Sequence, residues 1–373
     1  MKKFKILYGI CGIGNGHTYR QLPVIEYFAQ TCETMIFAHG ASYDFYTEHF
    51  KNNPSVRIVW VAVPFYVGAP GGLDFKATAE TFLDRKQDVF KTNCLALDRA
   101  QSELGKPDLV ITDYEPISAQ YAYAHNVPLV TIDQQSKYLC GDFPDKIDGF
   151  TFEDEVVRLH MFFPKVDARI ACSFFNVPIK DNFDKVMIFP PIIKDSIAKL
   201  NRSSVSNSFL VYISSAREYT QTLETVIKAL AAQKDSKFYV FMDKPANNIL
   251  SKNTENVSIY RHGDPRFTGV LKECQGIIST AGHSLISEAM YLGVPVYAVP
   301  VSPYEQHMNA EVINRNGFGI SHKNIDNDRL CYFIENIPKF RDHIFKDKTV
   351  LLRGKGQDKI INFLEKNFLR LSQ

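Results

Sequence analysis

The chain has 373 residues, 45% of them hydrophobic and 23% charged, with a formal net charge of +2. That length exceeds one ordinary core and fits two domains, and a charge so close to zero excludes a dedicated nucleic-acid binder, which needs a basic stripe. Seven scattered cysteines, none at metal-knuckle spacing, exclude a zinc knuckle and a disulfide framework and point to a reducing cytoplasm.

The opening run FKILYGI (4–10) predicts a first strand. Its basic flank resembles a signal peptide, but the apolar run is short and passes into a glycine-rich turn with no small-residue cleavage site. Further β-rich runs stand at 33–39, 56–63, 108–113, 128–133 and 168–174. Helical segments lie between most of them, at 17–30, 76–104 and 115–125. Strand–helix alternation predicts a parallel sheet covered on both faces. The pattern pauses at FPPIIKDSIAKLNRSSVSNS (189–208), which reads as an interdomain linker. It restarts with strands at 209–215, 237–243, 257–262, 276–280 and 295–301. The end of the chain spaces Ile360, Ile361, Leu364, Phe368 and Leu371 as one helical face, an amphipathic helix that packs back on the fold. The expected boundaries are 1–190 for an N-terminal domain, 191–206 for the linker, 207–352 for a C-terminal domain and 353–373 for the closing helix. No run is long and apolar enough to span a membrane.

The stretch GICGIGNGHTYR (9–20) carries the first chemistry. Gly12 and Gly14 fit the first two glycines of a dinucleotide fingerprint, but His17 stands where the third belongs. The second strand also ends FAHGAS, without the carboxylate that would hold a ribose. What remains is bare backbone able to approach a ligand, followed by an imidazole at a helix start. His17 is a candidate general base for a hydroxyl. Asp113, closing the strand DLVITD, is the candidate that orients it, with an ordinary helix cap as the competing role. Glu115 is the alternative partner.

The segment 276–319 carries more. A buried strand, GIIST, runs into a turn at Ala281–Gly282 and a helix that stops at Gly293. Free backbone N–H groups and the positive helix end make this turn an anion site suited to a pyrophosphate. Thr280, Ser284 and the ring of His283 add donors. Glu288 can accept both hydroxyls of a ribose. Glu305 and Gln306, expected on a loop, are candidates for sugar hydroxyls.

On these residues the sequence resembles the GT-B glycosyltransferases, α/β proteins of two facing Rossmann-like, doubly wound domains with a cleft between them. It is similar in particular to the UDP-glycosyltransferases and to the N-acetylglucosaminyltransferase that makes lipid II. Gly282, Ser284, Glu288, Gly293-Val294-Pro295, Pro300, Glu305-Gln306 and Asn309 follow their C-terminal signature. The resemblance implies Glu288 on the ribose, residues 281–284 on the diphosphate, and Glu305 and Gln306 on the donor sugar. It implies Arg261, His262 and Gly263 at the base, and His17 with Asp113 as the acceptor-activating pair. Gly14, Ser214 and Ser215 join the expected donor side, and Asn15, Gly16 and Arg20 the acceptor side. Thr280 stands where the family has histidine, Ser284 where it has asparagine, and the tryptophan of plant-type signatures is absent.

The expected activity is an inverting, metal-independent sugar transfer from a nucleotide-sugar, UDP-linked, to a hydroxyl of a glycan, a lipid-linked or a small-molecule acceptor. No cofactor or metal is expected, and no nucleic acid; the setting is cytoplasmic, with peripheral membrane contact left open. Two rival readings stand beside it. The first is hydrolysis or epimerisation of a nucleotide sugar, since GNGHTYR also resembles nucleotide-sugar hydrolases of nonulosonic acid synthesis; the second is a non-catalytic nucleotide-sugar-binding module using the same loops. The aromatic segment 60–75 favours a true acceptor over water.

Overall fold

The computed structural model describes residues 3–13, 15–63, 66–69, 72–85, 88–202, 205–213, 221–242, 254–301 and 304–369. Among the described residues, eleven strands fall in the first half: β1 (Lys5–Ile10), β2 (Glu33–Ala38), β3 (Val56–Trp60), β4 (Val67–Ala69), β5 (Gly72–Asp74), β6 (Leu109–Asp113), β7 (Leu129–Asp133), β8 (Lys146–Ile147), β9 (Phe150–Thr151), β10 (Ala168–Cys172) and β11 (Val186–Phe189). Seven of them form a parallel sheet in the order β11-β10-β7-β6-β1-β2-β3; β4-β5 and β8-β9 are small antiparallel hairpins. The second half supplies β12 (Ser208–Ile213), β13 (Lys237–Met242), β14 (Val257–Arg261), β15 (Gly276–Ser279), β16 (Val296–Ala298) and β17 (Gly319–Ser321). These form a second parallel sheet in the order β14-β13-β12-β15-β16-β17.

Both sheets are doubly wound, and alternation along the strands feeds two apolar layers. In β1, Ile6, Tyr8 and Ile10 join Val24, Ile25 and Phe28 of the Asn15–Thr31 helix on one face. Leu7 joins Met35, Val110, Ala96 and Ala100 on the other. Each sheet reverses direction at one point, between β1 and β6 in the first and between β12 and β15 in the second. Ligands of open α/β sheets bind in the crevice outside such a switch point, at the carboxyl ends of the strands.

The structure departs from the sequence reading in detail. The single helix expected over 76–104 is two, Phe75–Arg85 and Val89–Glu103. Asp88 starts the second by accepting from Lys91 N at 2.8 Å, an N-cap that the continuous apolar pattern hides. β11 and β17 are additional strands, each too short to announce itself by alternation.

The chain crosses between the halves twice. Gly356 N donates to Pro191 O at 2.8 Å, and Gln357 Oε1 accepts from Ile193 N at 3.0 Å, so the two crossings are tied together. A side chain at position 356 would meet Pro190 O at 2.0 Å, which is why glycine stands there. The Gly356–Leu364 helix then returns to the first sheet, where Ile360, Ile361 and Leu364 sit in the same core cluster as Ile6 and Val24. Tyr27 donates to Glu365 at 2.7 Å beside it. Tyr138, Phe143 and Phe152 from the first half pack around Tyr304 from the second, with ring centroids of Tyr138 and Phe152 at 5.6 and 5.1 Å from Tyr304.

Candidate functional site

The parallel register sets Ile10, the last residue of β1, beside Asp113, the last residue of β6. Cys11 N continues the ladder to Asp113 O at 3.0 Å. The loop after β1 therefore emerges over the Asp113 carboxylate. His17, one turn into its helix, brings Nδ1 to 2.9 Å from Asp113 Oδ1. Arg20 lies one turn further and places Nη2 at 2.7 and 2.8 Å from the two oxygens of Asp113. Gln21 Nε2 donates to Oδ2 at 2.8 Å. Asp113 is fully buried. Burial alone would raise its pKa, but the Arg20 guanidinium and His17 outweigh that and hold the carboxyl at about 2. Arg20 Nη2 also stands 2.9 Å from His17 Nδ1; the tautomer that carries its proton on Nδ1 donates to the carboxylate and has Nε2 as its basic nitrogen.

The competing role for Asp113, a helix cap, belongs to its neighbour. Glu115 Oε1 and Oε2 accept from Ile117 N and Ser118 N at 2.6 and 2.8 Å, capping the Pro116–His125 helix. Burial raises the Glu115 carboxyl to about 7, against the pull of those bonds. Between the two acids, Tyr114 holds a left-handed φ of 59° and stacks on His17 at 6.3 Å. Arg20, expected toward the acceptor, pairs with Asp113, is 8% exposed and lines the cavity between the two halves. Gly12 answers to packing: a side chain there would meet His39 O at 1.7 Å. Phe162 and Phe163 belong to the core of the first sheet, with Tyr66 packed on Phe162 at 5.7 Å. Gly14 and part of the 60–75 segment lie outside the described residues, as do Ser214 and Ser215.

The second half presents its own switch-point loop. β15 ends at Ser279, Thr280 is buried, and Ala281 turns the chain with a left-handed φ of 60°. Gly282 is the N-cap residue of the His283–Leu292 helix and, having no side chain, leaves the first N–H groups to other partners. One of those partners is a carboxylate. Glu305, on the first turn of the Tyr304–Arg315 helix rather than on a loop, accepts from His283 N through Oε1 at 3.1 Å. An acid in a first turn is favoured by the helix dipole, and here it serves two helix ends at once. Gln306 accepts from Val301 N at 3.0 Å. The His283 ring is buried, which with the nearby Lys137 and Arg20 charges drives its pKa well below the usual value and keeps it neutral. Asn309 donates to Ala281 O at 3.0 Å and fixes the turn. Arg261 ends β14, and His262 and Gly263 follow it at the same carboxyl end of the sheet; His262 stacks on Tyr212 at 4.4 Å, and Gly263 has φ 83°.

The two loops face each other. A methyl on Gly16 would sit 3.4 Å from Ser284 Oγ. Tyr19 and Arg20 from the first half, Lys194 from the connection between the halves, and His283, Ser284 and Glu288 from the second line one cavity of about 20 Å³, room for about one water. Burial lifts Glu288 to about 7, opposed by Lys194, whose Nζ rests 3.9 Å from the Tyr19 ring centroid.

Sequence reasoning missed Gln134 and Lys137, which follow β7. Gln134 Nε2 donates to Glu305 Oε2 across the cleft, and its Oε1 accepts from Lys137 Nζ at 2.8 Å. The sheet end shared with Asp113 was their only signal.

Two doubly wound domains whose switch-point loops meet across a closed cleft define a GT-B glycosyltransferase. The chain belongs to glycosyl transferase family 1, whose sequence profile matches residues 4–338. It is 24% identical over 334 residues to an uncharacterized glycosyltransferase of Methanosarcina mazei, covering 84% of both chains, and 24% identical over 335 residues to another of Methanosarcina acetivorans, again covering 84% of both. Among solved structures it is similar to a UDP-glucosyltransferase of Polygonum tinctorium capable of glucosylating indoxyl, at TM-score 0.69 and 12% identity over 100% of this chain and 99% of that one. The calicheamicin glycosyltransferase CalG4 matches at TM-score 0.59 and 16% identity over 100% of each chain. A UDP-glucose: anthocyanidin 3-O-glucosyltransferase in complex with UDP matches at 0.61 and 15%, over 97% and 95%. Among the described residues no helix is long and apolar enough to cross a membrane.

Proposed function

We propose that this glycosyltransferase moves a sugar from a UDP-sugar to an acceptor hydroxyl with inversion, without a metal. The observation that carries the reading is that the turn holding His17 on Asp113 meets the N-terminus of the His283–Leu292 helix: Gly16 faces Ser284, and Tyr19 and Arg20 line one cavity with His283, Ser284 and Glu288. His17 Nε2 takes the acceptor proton as the hydroxyl oxygen bonds to the anomeric carbon. The bond from that carbon to the diphosphate breaks on the opposite face, and its electron pair leaves with the diphosphate. The helix N–H groups stabilise that departing charge. Glu288 accepts the ribose hydroxyls, Arg261–Gly263 lie toward the base, and Thr280 and Ser284 stand beside the diphosphate.

The cavity holds about one water, so donor binding parts the domains. Glu305 then gives up His283 N to the diphosphate and turns to sugar hydroxyls. Neighbouring folds named for UDP-sugar transfer support the donor class. The acceptor belongs to the glycans, lipid-linked sugars or small hydroxylated molecules.

The test is nucleotide release from a panel of UDP-sugars with and without such acceptors, with the anomeric configuration of the product read by NMR. Acceptor-dependent release with inverted configuration is expected. Equal release without acceptor reassigns the protein as a hydrolase, and retained configuration removes the single-displacement scheme.

A further inference from the structure

Lys137 is fully buried, an unusual place for a lysine without a carboxylate partner. Among the described residues its ammonium makes one hydrogen bond, to the neutral amide of Gln134 at 2.8 Å, and lies 5.0 and 5.8 Å from the centroids of the Tyr138 and Phe175 rings. The same amide bonds Glu305, and Glu305 bonds His283 N. A positive group from the N-terminal half and a helix end from the C-terminal half are thus separated by one amide and one carboxylate. Arg20, the other buried cation here, is already paired with Asp113. Beside this helix end, two further buried polar atoms, His283 Nε2 and Asn309 Oδ1, have no hydrogen-bond partner among the described residues.

This arrangement has the charge balance of an occupied anion site. Glu305 supplies the negative charge in the structure, on the helix end and one amide away from Lys137. We propose that Lys137 is a donor-binding residue, contributed by the N-terminal half, that faces the diphosphate once the donor displaces Glu305 from the helix end. The ammonium then balances charge that develops on the leaving group and makes donor affinity depend on both domains. Desolvation lowers the lysine to about 8, so it remains largely charged at neutral pH. The inference rests on the UDP-sugar reading above.

Calorimetry on the full chain tests it with three probes: UDP, UMP and uridine. Lys137→Met is expected to weaken UDP by about tenfold or more, the worth of a hydrogen bond to a charged group. Uridine should stay within about twofold if the nucleoside is held elsewhere, UMP should fall between, and Lys137→Arg should keep most of the UDP affinity. Lys137→Gln serves as the second neutral variant where the methionine chain melts early. Unchanged UDP affinity in a folded neutral variant overturns the inference, as does an equal loss for UDP and uridine, which marks a packing role. Failure of the unmodified protein to bind UDP overturns the donor reading itself and the inference with it. UDP binding that ignores Lys137 leaves the donor reading standing.

Discussion

The Arg20 guanidinium lies across the Asp113 carboxylate, with Nη2 at 2.7 and 2.8 Å from its two oxygens and both side chains buried. A buried pair of this kind is costly to break from one side, because the remaining charge stays in the interior without compensation. Asp113→Ala and Arg20→Ala should each cost about 3–5 kcal/mol of stability in chemical denaturation. His17→Ala should cost far less stability while lowering turnover about 10²–10⁴-fold, the worth of a general base. Equal melting losses for all three variants would make His17 a structural residue.

Glu288 carries a pH signature. Burial raises its folded pKa from 4.5 to about 7. For a raised carboxyl, the stabilising contribution is complete below pH 4.5 and is lost as pH rises through about 7. Glu288→Gln should therefore gain thermal stability relative to the parent at pH 8 and little at pH 4. Binding runs the other way, because the ionised form is the better acceptor of two ribose hydroxyls. Uridine should bind more weakly at pH 6 than at pH 8, and Glu288→Gln should flatten that profile. Glu288→Ala should weaken UDP by roughly 1–3 kcal/mol; an unaltered dissociation constant removes Glu288 from the site.

Glu305 competes with the diphosphate for His283 N and, in the proposed cycle, later binds the sugar. Those two roles pull a variant in opposite directions. Glu305→Ala should bind UDP as tightly as the parent or severalfold tighter, since the helix end is free. The same variant should turn over a UDP-sugar at least about tenfold more slowly. Loss of both UDP binding and turnover would assign Glu305 to holding the turn.

Metal independence is checked directly. Turnover after dialysis against EDTA should equal that of the untreated enzyme, and added Mg²⁺ or Mn²⁺ should not raise it. A chelator-sensitive rate restored by either cation would move leaving-group stabilisation from the helix end to a metal.

Much of this architecture is legible in the order of residues. A parallel sheet turns each strand end into a site residue, so His17, Asp113 and Ala281–Ser284 announce themselves by standing after apolar runs. Glu305 was expected on a loop beyond the 295–301 strand, whereas its acid belongs to a helix first turn. Its bond to His283 N spans the next strand and is a tertiary fact that no local pattern contains. Arg20 reads from its spacing after His17 as an acceptor-side residue; only the β1–β6 register shows that it sits over Asp113. Lys137 is the hardest case. A lysine after a strand predicts solvent, and nothing local says that Tyr138, Phe175 and the opposite half will cover it.

The closing helix has a consequence for how the chain is made. Ile360, Ile361 and Leu364 complete a layer whose other members, among them Ile6 and Val24, leave the ribosome more than three hundred residues earlier. At about 5–20 residues per second, roughly ten to thirty seconds separate the exit of Pro190 from that of the missing piece. During that interval the nascent N-terminal half carries an uncovered apolar strip, a natural landing place for a chaperone.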